Sequence, residues 1–344
     1  MQLDLLNNDE LTLLRQLISS SQKVVVVGHK APDGDAIGSC LAWAEYLRTQ
    51  GKNPFIIVPD AYPDFLGWLP GNEKIVRYDK HPEKVEKAFN EADTIFCLDF
   101  CETSRIEEVE PLLVNSKAKV VLIDHHIDPN VPAVLTVSHT WASSTAELVF
   151  RLICQLGGFE AMDKKIAAPI YCGMMTDTGG FTYNSTRPEI YQIIGMLLTK
   201  KIDKDKIYRL VFNNYSHWAI RLRGYIMNQK LNYIDDLHCT YYAVSRQDML
   251  DYHFIKGDME GLVNEPLRIK GVKLSISLRE DDRRDNTILV SLRSVDDFPC
   301  NKMAADFFNG GGHLNASGGK LHCSLAEAEE ITRNAIKAYA DMLR

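Results

Sequence analysis

VVVVGHKAPDGDAIGS, Val24 to Ser39, sets four consecutive valines against His29, Asp33 and Asp35, all within the next eight residues. A short β-branched run without polar alternation reads as a strand covered on both faces, as in a parallel sheet. The imidazole and carboxylates at its exit are costly to desolvate unless something positive meets them. Two more apolar runs finish the same way: DTIFCLD ends on Asp99, and KVVLIDHH ends on Asp124, His125 and His126. Between the runs lie helical patterns. One covers Ala36 to Gln50 and stops at Gly51, and another covers His81 to Ala92. A third follows Ser143 and Ser144, whose hydroxyls suit N-caps, and ends at Gly157-Gly158. This alternation predicts an α/β fold: an N-terminal doubly wound, mainly parallel sheet with helices on both faces.

The pattern changes after Thr186. Pro188 to Gly224 reads as charged helix and suits a connector. From Asn232 the chain favours strands, with VKLSISLRE and TILVSLRS forming a hairpin around the polar turn Asp281 to Asn286, and it closes on a helical AEAEEITRNAIKAYADML. The expected organisation is a domain over 1–190, a helical linker over 191–231, and a smaller C-terminal α/β domain over 232–344.

The 344 residues favour two domains over one. A formal net charge of -7 speaks against a protein that coats long nucleic acid, double-stranded DNA or RNA included, but leaves room for a short anionic substrate in a local site. Eight cysteines without a C-x-x-C pair fit free thiols in a reducing compartment. The polar start MQLDLLNNDE is unlike a secretory signal, and no apolar stretch approaches the roughly 20 residues that span a bilayer. The expectation is a cytoplasmic protein with no membrane partner.

In open α/β sheets, ligands bind beyond the carboxyl ends of the strands. His29, Asp33, Asp35, Asp99, Asp124, His125 and His126 all follow strand ends, and Asp177 lies between an apolar segment and a Gly-Gly turn. Singly, each has an ordinary explanation. A D-x-D loop is commonly a solvated turn or helix cap, Asp99 suits a cap for the helix after it, and adjacent histidines occur by chance. Jointly, at three strand ends, they describe a metal site. An Asp/His set without thiolate suits Mn²⁺, Mg²⁺ or Zn²⁺, with Mn²⁺ favoured by the carboxylate-rich balance. Two ions about 3.5–4 Å apart form the usual phosphoryl-transfer clamp. A dinucleotide-binding turn would need G-x-G-x-x-G, and the acidic turn here would repel a pyrophosphate. Far along the chain, NGGGHLNASGG (Asn309 to Gly319) reads either as a surface turn or as a loop whose amides approach an anion.

Taken in order, HKAPDGDAIGS, LDFCETSRI, IDHH, DTGGFTY and NGGGHLNASGG resemble the DHH phosphoesterase family, in particular its small two-domain nanoRNase/pAp phosphatase type. The resemblance implies a metal held by His29, Asp33 and Asp99, and a second held by Asp35, Asp99, His125 and Asp177, with Asp99 bridging. It implies that His126 faces the substrate phosphate as ligand or proton donor, that Asp124 orients its neighbours, and that Arg105 contacts phosphate. Gly310, Gly311, Gly312, His313 and Ser317 would hold the nucleotide portion; Arg268, Arg279 and Arg293 are weaker candidates for the same work. The implied activity is hydrolysis of short oligoribonucleotides or linear dinucleotides to mononucleotides, and of pAp to AMP, by water activated between two divalent ions, Mn²⁺ first and Mg²⁺ or another divalent ion next. A homodimer is left open. The alternatives are a cyclic dinucleotide phosphodiesterase, whose membrane-bound relatives carry extra sensor segments, and a manganese inorganic pyrophosphatase, whose C-terminal S-R-K-K-Q stretch is absent. A non-catalytic nucleotide-binding module should have lost ligands, and none is missing.

Overall fold

The computed structural model describes residues 3–344. The chain divides into a first unit ending at Asn214 and a second, Tyr215–Arg344. The division falls inside the helical stretch that separates the two sheets in sequence.

In the first unit, β1 (Val24–Gly28), β2 (Phe55–Val58), β3 (Ile75–Arg77), β4 (Thr94–Leu98), β5 (Lys119–Asp124) and β6 (Leu135–Ser138) form a parallel sheet of order β3-β2-β1-β4-β5-β6. The valines of β1 alternate between two cores. Val24 and Val26 join one with Phe96 and Ile123, while Val25 and Val27 join the other with Ile95 and Leu122. Both faces are apolar because both are covered, so the run shows no alternation. Helices α1 (Asn8–Ser20), α2 (Gly34–Thr49), α5 (Thr145–Gln155) and α6 (Lys164–Asp177) cover the first face; α3 (Pro82–Glu91) and α4 (Glu110–Val114) cover the second. The strand order reverses direction between β1 and β4, the switch point beyond whose carboxyl ends open α/β sheets bind ligands. Helices α7 (Pro188–Leu198) and α8 (Lys204–Phe212) complete this unit.

Two elements differ from the sequence expectation. Helix α2 starts at Gly34, two residues early, because Asp33 caps it by accepting from the amides of Asp35 and Ala36 at 2.9 and 3.1 Å. The apolar segment before Asp177 is the buried helix α6, which continues through Pro169 although an interior proline costs about 3 kcal/mol. Its packing on α2 is close: a Cβ on Gly38 would lie 2.5 Å from the Pro169 carbonyl, and one on Gly173 would lie 2.8 Å from Asp35 Oδ1. This approach carries Asp177, the last residue of α6, to the same end of the sheet as Asp35.

In the second unit, β7 (Asn232–Ile234), β8 (Cys239–Val244), β9 (Leu274–Glu280), β10 (Ile288–Ser294), β11 (Gly311–His313) and β12 (Ala316–Leu321) form a mixed sheet of order β11-β12-β10-β9-β8-β7. The expected hairpin is β9–β10, antiparallel, with Leu278 opposite Val290. One face packs under α11 (Cys300–Phe308), α12 (Leu325–Ala338) and α13 (Ala340–Leu343). The other carries α9 (His217–Tyr225) and α10 (Arg246–Asp251). Among the described residues no helix is long and apolar enough to cross a membrane, and the eight cysteines are free thiols.

Candidate metal centre

The switch point between β1 and β4 gathers His29 from the end of β1, Asp33 and Asp35 from the start of α2, and Asp99 from the end of β4. His125 and His126 come from the end of β5, and Asp177 from the end of α6. His29, Asp33 and Asp99 form one group whose ligand atoms lie within 4.8 Å of one another, and Asp35, His125 and Asp177 form another. Asp99 faces both. Its Oδ2 is 3.5 Å from His29 Nε2, and its Oδ1 is 3.7 Å from His125 Nε2. His125 Nε2 is also 3.4 Å from Asp177 Oδ2 and 4.0 Å from Asp35 Oδ2. Asp99 takes a left-handed backbone conformation, φ 68°, which costs a non-glycine residue about 1–3 kcal/mol. Its amide donates to the Ile123 carbonyl at 3.0 Å.

The imidazoles are oriented from behind. His29 Nδ1 lies 2.8 Å from the Lys30 carbonyl and His125 Nδ1 3.3 Å from the Ala142 carbonyl. Since a carbonyl only accepts, Nδ1 carries the proton in both, and Nε2 turns its lone pair toward the carboxylates. Burial lowers the pKa of His29, and that of His125 falls to about 4, so both are neutral at pH 7. His126 differs: its Nδ1 is 2.7 Å from Asp124 Oδ1, and the ring is partly exposed. Burial raises the carboxyl of Asp124, but the His126 hydrogen bond and the adjoining imidazoles outweigh it and hold Asp124 below the usual range.

Asp35 and Asp99 are each 1 % exposed, and their partners among the described residues are amides, one hydroxyl and imidazoles, with no lysine or arginine. Burial, and then the neighbouring carboxylates, push both well above the usual carboxylate range. Two neutral imidazoles and four converging carboxylates are the donor set of a divalent cation site with hard oxygen ligands, which answers why acid follows the valine strand.

Of the other predicted residues, Arg105 is exposed in the 3₁₀ segment Thr103–Val109, near enough to His29 to disfavour its protonation, and its carbonyl accepts from the Lys30 amide at 2.8 Å. In the second unit, Gly311 and Gly312 lie on β11, paired with Gly318 and Ser317. A Cβ on Gly310 would overlap the Gly318 carbonyl, whereas Gly311 is exposed with open space around it. His313 is half-buried, and Ser317 donates to its carbonyl at 2.8 Å. Sequence reasoning did not single out Thr145. It read Ser143 and Ser144 for capping and Thr145 only as the start of the helix, and the 110 residues from Asp35 to Thr145 conceal their contact.

A model of the DHH family N-terminal domain matches residues 23–174, and a DHHA1 domain model matches 240–342. A solved structure described as an exopolyphosphatase-related protein from Bacteroides fragilis superposes with a TM-score of 0.92 at 46 % identity, covering 98 % of both chains. The bifunctional oligoribonuclease and PAP phosphatase NrnA of Thermus thermophilus is 29 % identical over 91 % of this chain and 89 % of its own length. The cyclic-di-AMP phosphodiesterase GdpP of Bacillus subtilis is 24 % identical over 95 % of this chain but only 49 % of its own.

Proposed function

The chain belongs to the DHH phosphoesterase family, and from that premise we propose that it hydrolyses short oligoribonucleotides or linear dinucleotides to mononucleotides, and pAp to AMP. The observation that carries this reading is the division of Asp99, with one oxygen toward His29 and the other toward His125. His29, Asp33 and Asp99 would hold one divalent ion; Asp35, Asp99, His125 and Asp177 would hold a second. Mn²⁺ suits this carboxylate-rich set. Divalent ions held there would supply a water acidic enough to react near neutral pH and positive charge for the phosphoryl oxygens.

The chain's own groups do the rest. Asp124, kept ionised, accepts from His126 Nδ1 and so orients the ring that would meet a phosphate or leaving oxygen. Arg105, exposed, adds a cation for the substrate. Gly310, Gly311, Gly312, His313 and Ser317 in the second unit hold the nucleotide. The full-length match to an NrnA protein supports short linear substrates over cyclic ones. A cyclic dinucleotide phosphodiesterase is the second reading, favoured by the match to GdpP across 95 % of this chain. Eight free thiols agree with a cytoplasmic setting. The deciding experiment follows product release from dinucleotides, pAp, cyclic dinucleotides and pyrophosphate in Mn²⁺. Release of mononucleotide from linear dinucleotides and pAp is expected, and activity confined to cyclic dinucleotides or pyrophosphate would overturn the reading.

A further inference from the structure

The N-terminal turn of α5 meets the centre at three atoms. The Thr145 amide donates to Asp35 Oδ2 at 2.6 Å, the Ala146 amide donates to Asp35 Oδ1 at 2.9 Å, and the Thr145 hydroxyl donates to Asp99 Oδ1 at 2.9 Å. The amide contacts belong to any helix start, where N–H groups lack intrahelical partners. The hydroxyl contact does not. Capping of α5 is done by Ser144, whose Oγ accepts from the Glu147 amide at 3.1 Å, so the helix asks nothing of the Thr145 side chain. Thr145 is fully buried, and its β-branched side chain has few rotamers to choose from. Its hydroxyl is therefore aimed at one oxygen of Asp99.

We propose that Thr145 is a positioning residue for the metal centre: its hydroxyl fixes the rotation of the Asp99 carboxylate, so that Oδ2 serves the His29 group while Oδ1 serves the His125 group. The turn that carries it is braced from behind. Glu147, fully buried, accepts from the Ser143 amide and hydroxyl at 2.8 Å each, from Arg151 at 2.9 Å and from Arg187 at 2.6 Å. Both guanidinium groups lie over the Trp141 ring, at 5.0 and 4.8 Å from its centroid. A carboxylate that has to serve two ions gains from a third contact that forbids its rotation. Without the hydroxyl, Asp99 can turn both oxygens toward one group, and the other loses a ligand.

This proposal rests on the two-metal reading above, and the experiment separates the two. Mn²⁺ is titrated into metal-free protein and followed by calorimetry and by the EPR signal of unbound Mn²⁺, for wild type, Thr145→Val, Thr145→Ala and Thr145→Ser. Wild type that fails to bind two ions would sink the two-metal reading itself. Given two ions in wild type, the proposal expects Thr145→Val and Thr145→Ala to bind one ion normally and the other at least about tenfold more weakly, the scale of a lost hydrogen bond to a charged group. Thr145→Ser, which keeps the hydroxyl, should restore both. Thr145→Ala covers the case in which valine prevents folding. Two ions bound with wild-type affinity in a folded Val or Ala variant would overturn the proposal. So would a Ser variant as weak as Ala, which would mean that the methyl group acts through packing.

Discussion

His126 Nδ1 lies 2.7 Å from Asp124 Oδ1, whereas the adjacent His125 turns its Nδ1 to the Ala142 carbonyl and its Nε2 to Asp177 and Asp99. Two neighbouring histidines thus face different chemistry. His125→Ala should lower Mn²⁺ occupancy, and His126→Ala should lower turnover with occupancy near normal. Elemental analysis beside steady-state kinetics checks both, and the opposite pattern would exchange the roles.

The buried acids make the metal-free protein sensitive to pH. Asp35 and Asp99 titrate well above the usual range in the folded state, so the folded protein keeps protons that the unfolded chain releases near pH 4. Their stabilising share is full below that pH and is lost as pH rises through the raised range. In EDTA, Asp35→Asn should therefore gain in Tm over wild type as pH goes from 4.5 to 7.5, by about 2–4 °C for each kcal/mol. A difference that stays flat with pH would contradict the electrostatic account.

Helix α6 reaches the centre because Gly38 and Gly173 let it lie against α2. A methyl on Gly173 would sit 2.7 Å from Ala146 Cβ and 2.8 Å from Asp35 Oδ1. Gly173→Ala should destabilise by about 1–3 kcal/mol and weaken Mn²⁺ binding as well. Gly195→Ala on α7, with nothing within 4 Å, is the control and should be neutral or stabilising. Equal behaviour of the two variants in thermal melts and Mn²⁺ titrations would count against the close-packing argument.

These positions show where sequence reading carries and where it stops. The β1, β4 and β5 runs are legible because burial on both faces leaves continuous apolar residues, and their polar exits are legible because that chemistry is out of place beside them. Strands β2, β3 and β6 are only three or four residues long and carry too little pattern. Helix α6 is buried nearly all round, so it shows no polar stripe, and Pro169 argues against a helix locally. Asp33 is both a cap and a candidate ligand: the Oδ1 that accepts two amides is also 3.9 Å from His29 Nε2. Local pattern shows the first role and places His29 four residues before it, but only the fold brings in Asp99, the third member of the group. Thr145 is hidden for the same reason, since its partners lie 110 and 46 residues away.

In the second unit, His313→Ala should leave Mn²⁺ content intact and lower kcat/KM on dinucleotides and pAp by roughly ten- to hundredfold, the scale of a charged hydrogen bond to phosphate. The loss should be smaller on bis-p-nitrophenyl phosphate, which offers less nucleotide to hold. Equal losses on both substrates would place His313 in the chemistry or in folding, and no loss on either would make the glycine hairpin a plain turn.

The most direct test of the account is the turnover of Asp99→Ala on a linear diribonucleotide in Mn²⁺, measured on folded protein with its bound metal counted. Asp99 serves both groups, so its removal should disturb both ions and lower kcat by on the order of 10³-fold, with fewer than two Mn²⁺ retained per chain. Near wild-type turnover in that variant would contradict the two-metal centre on which the proposed hydrolysis depends.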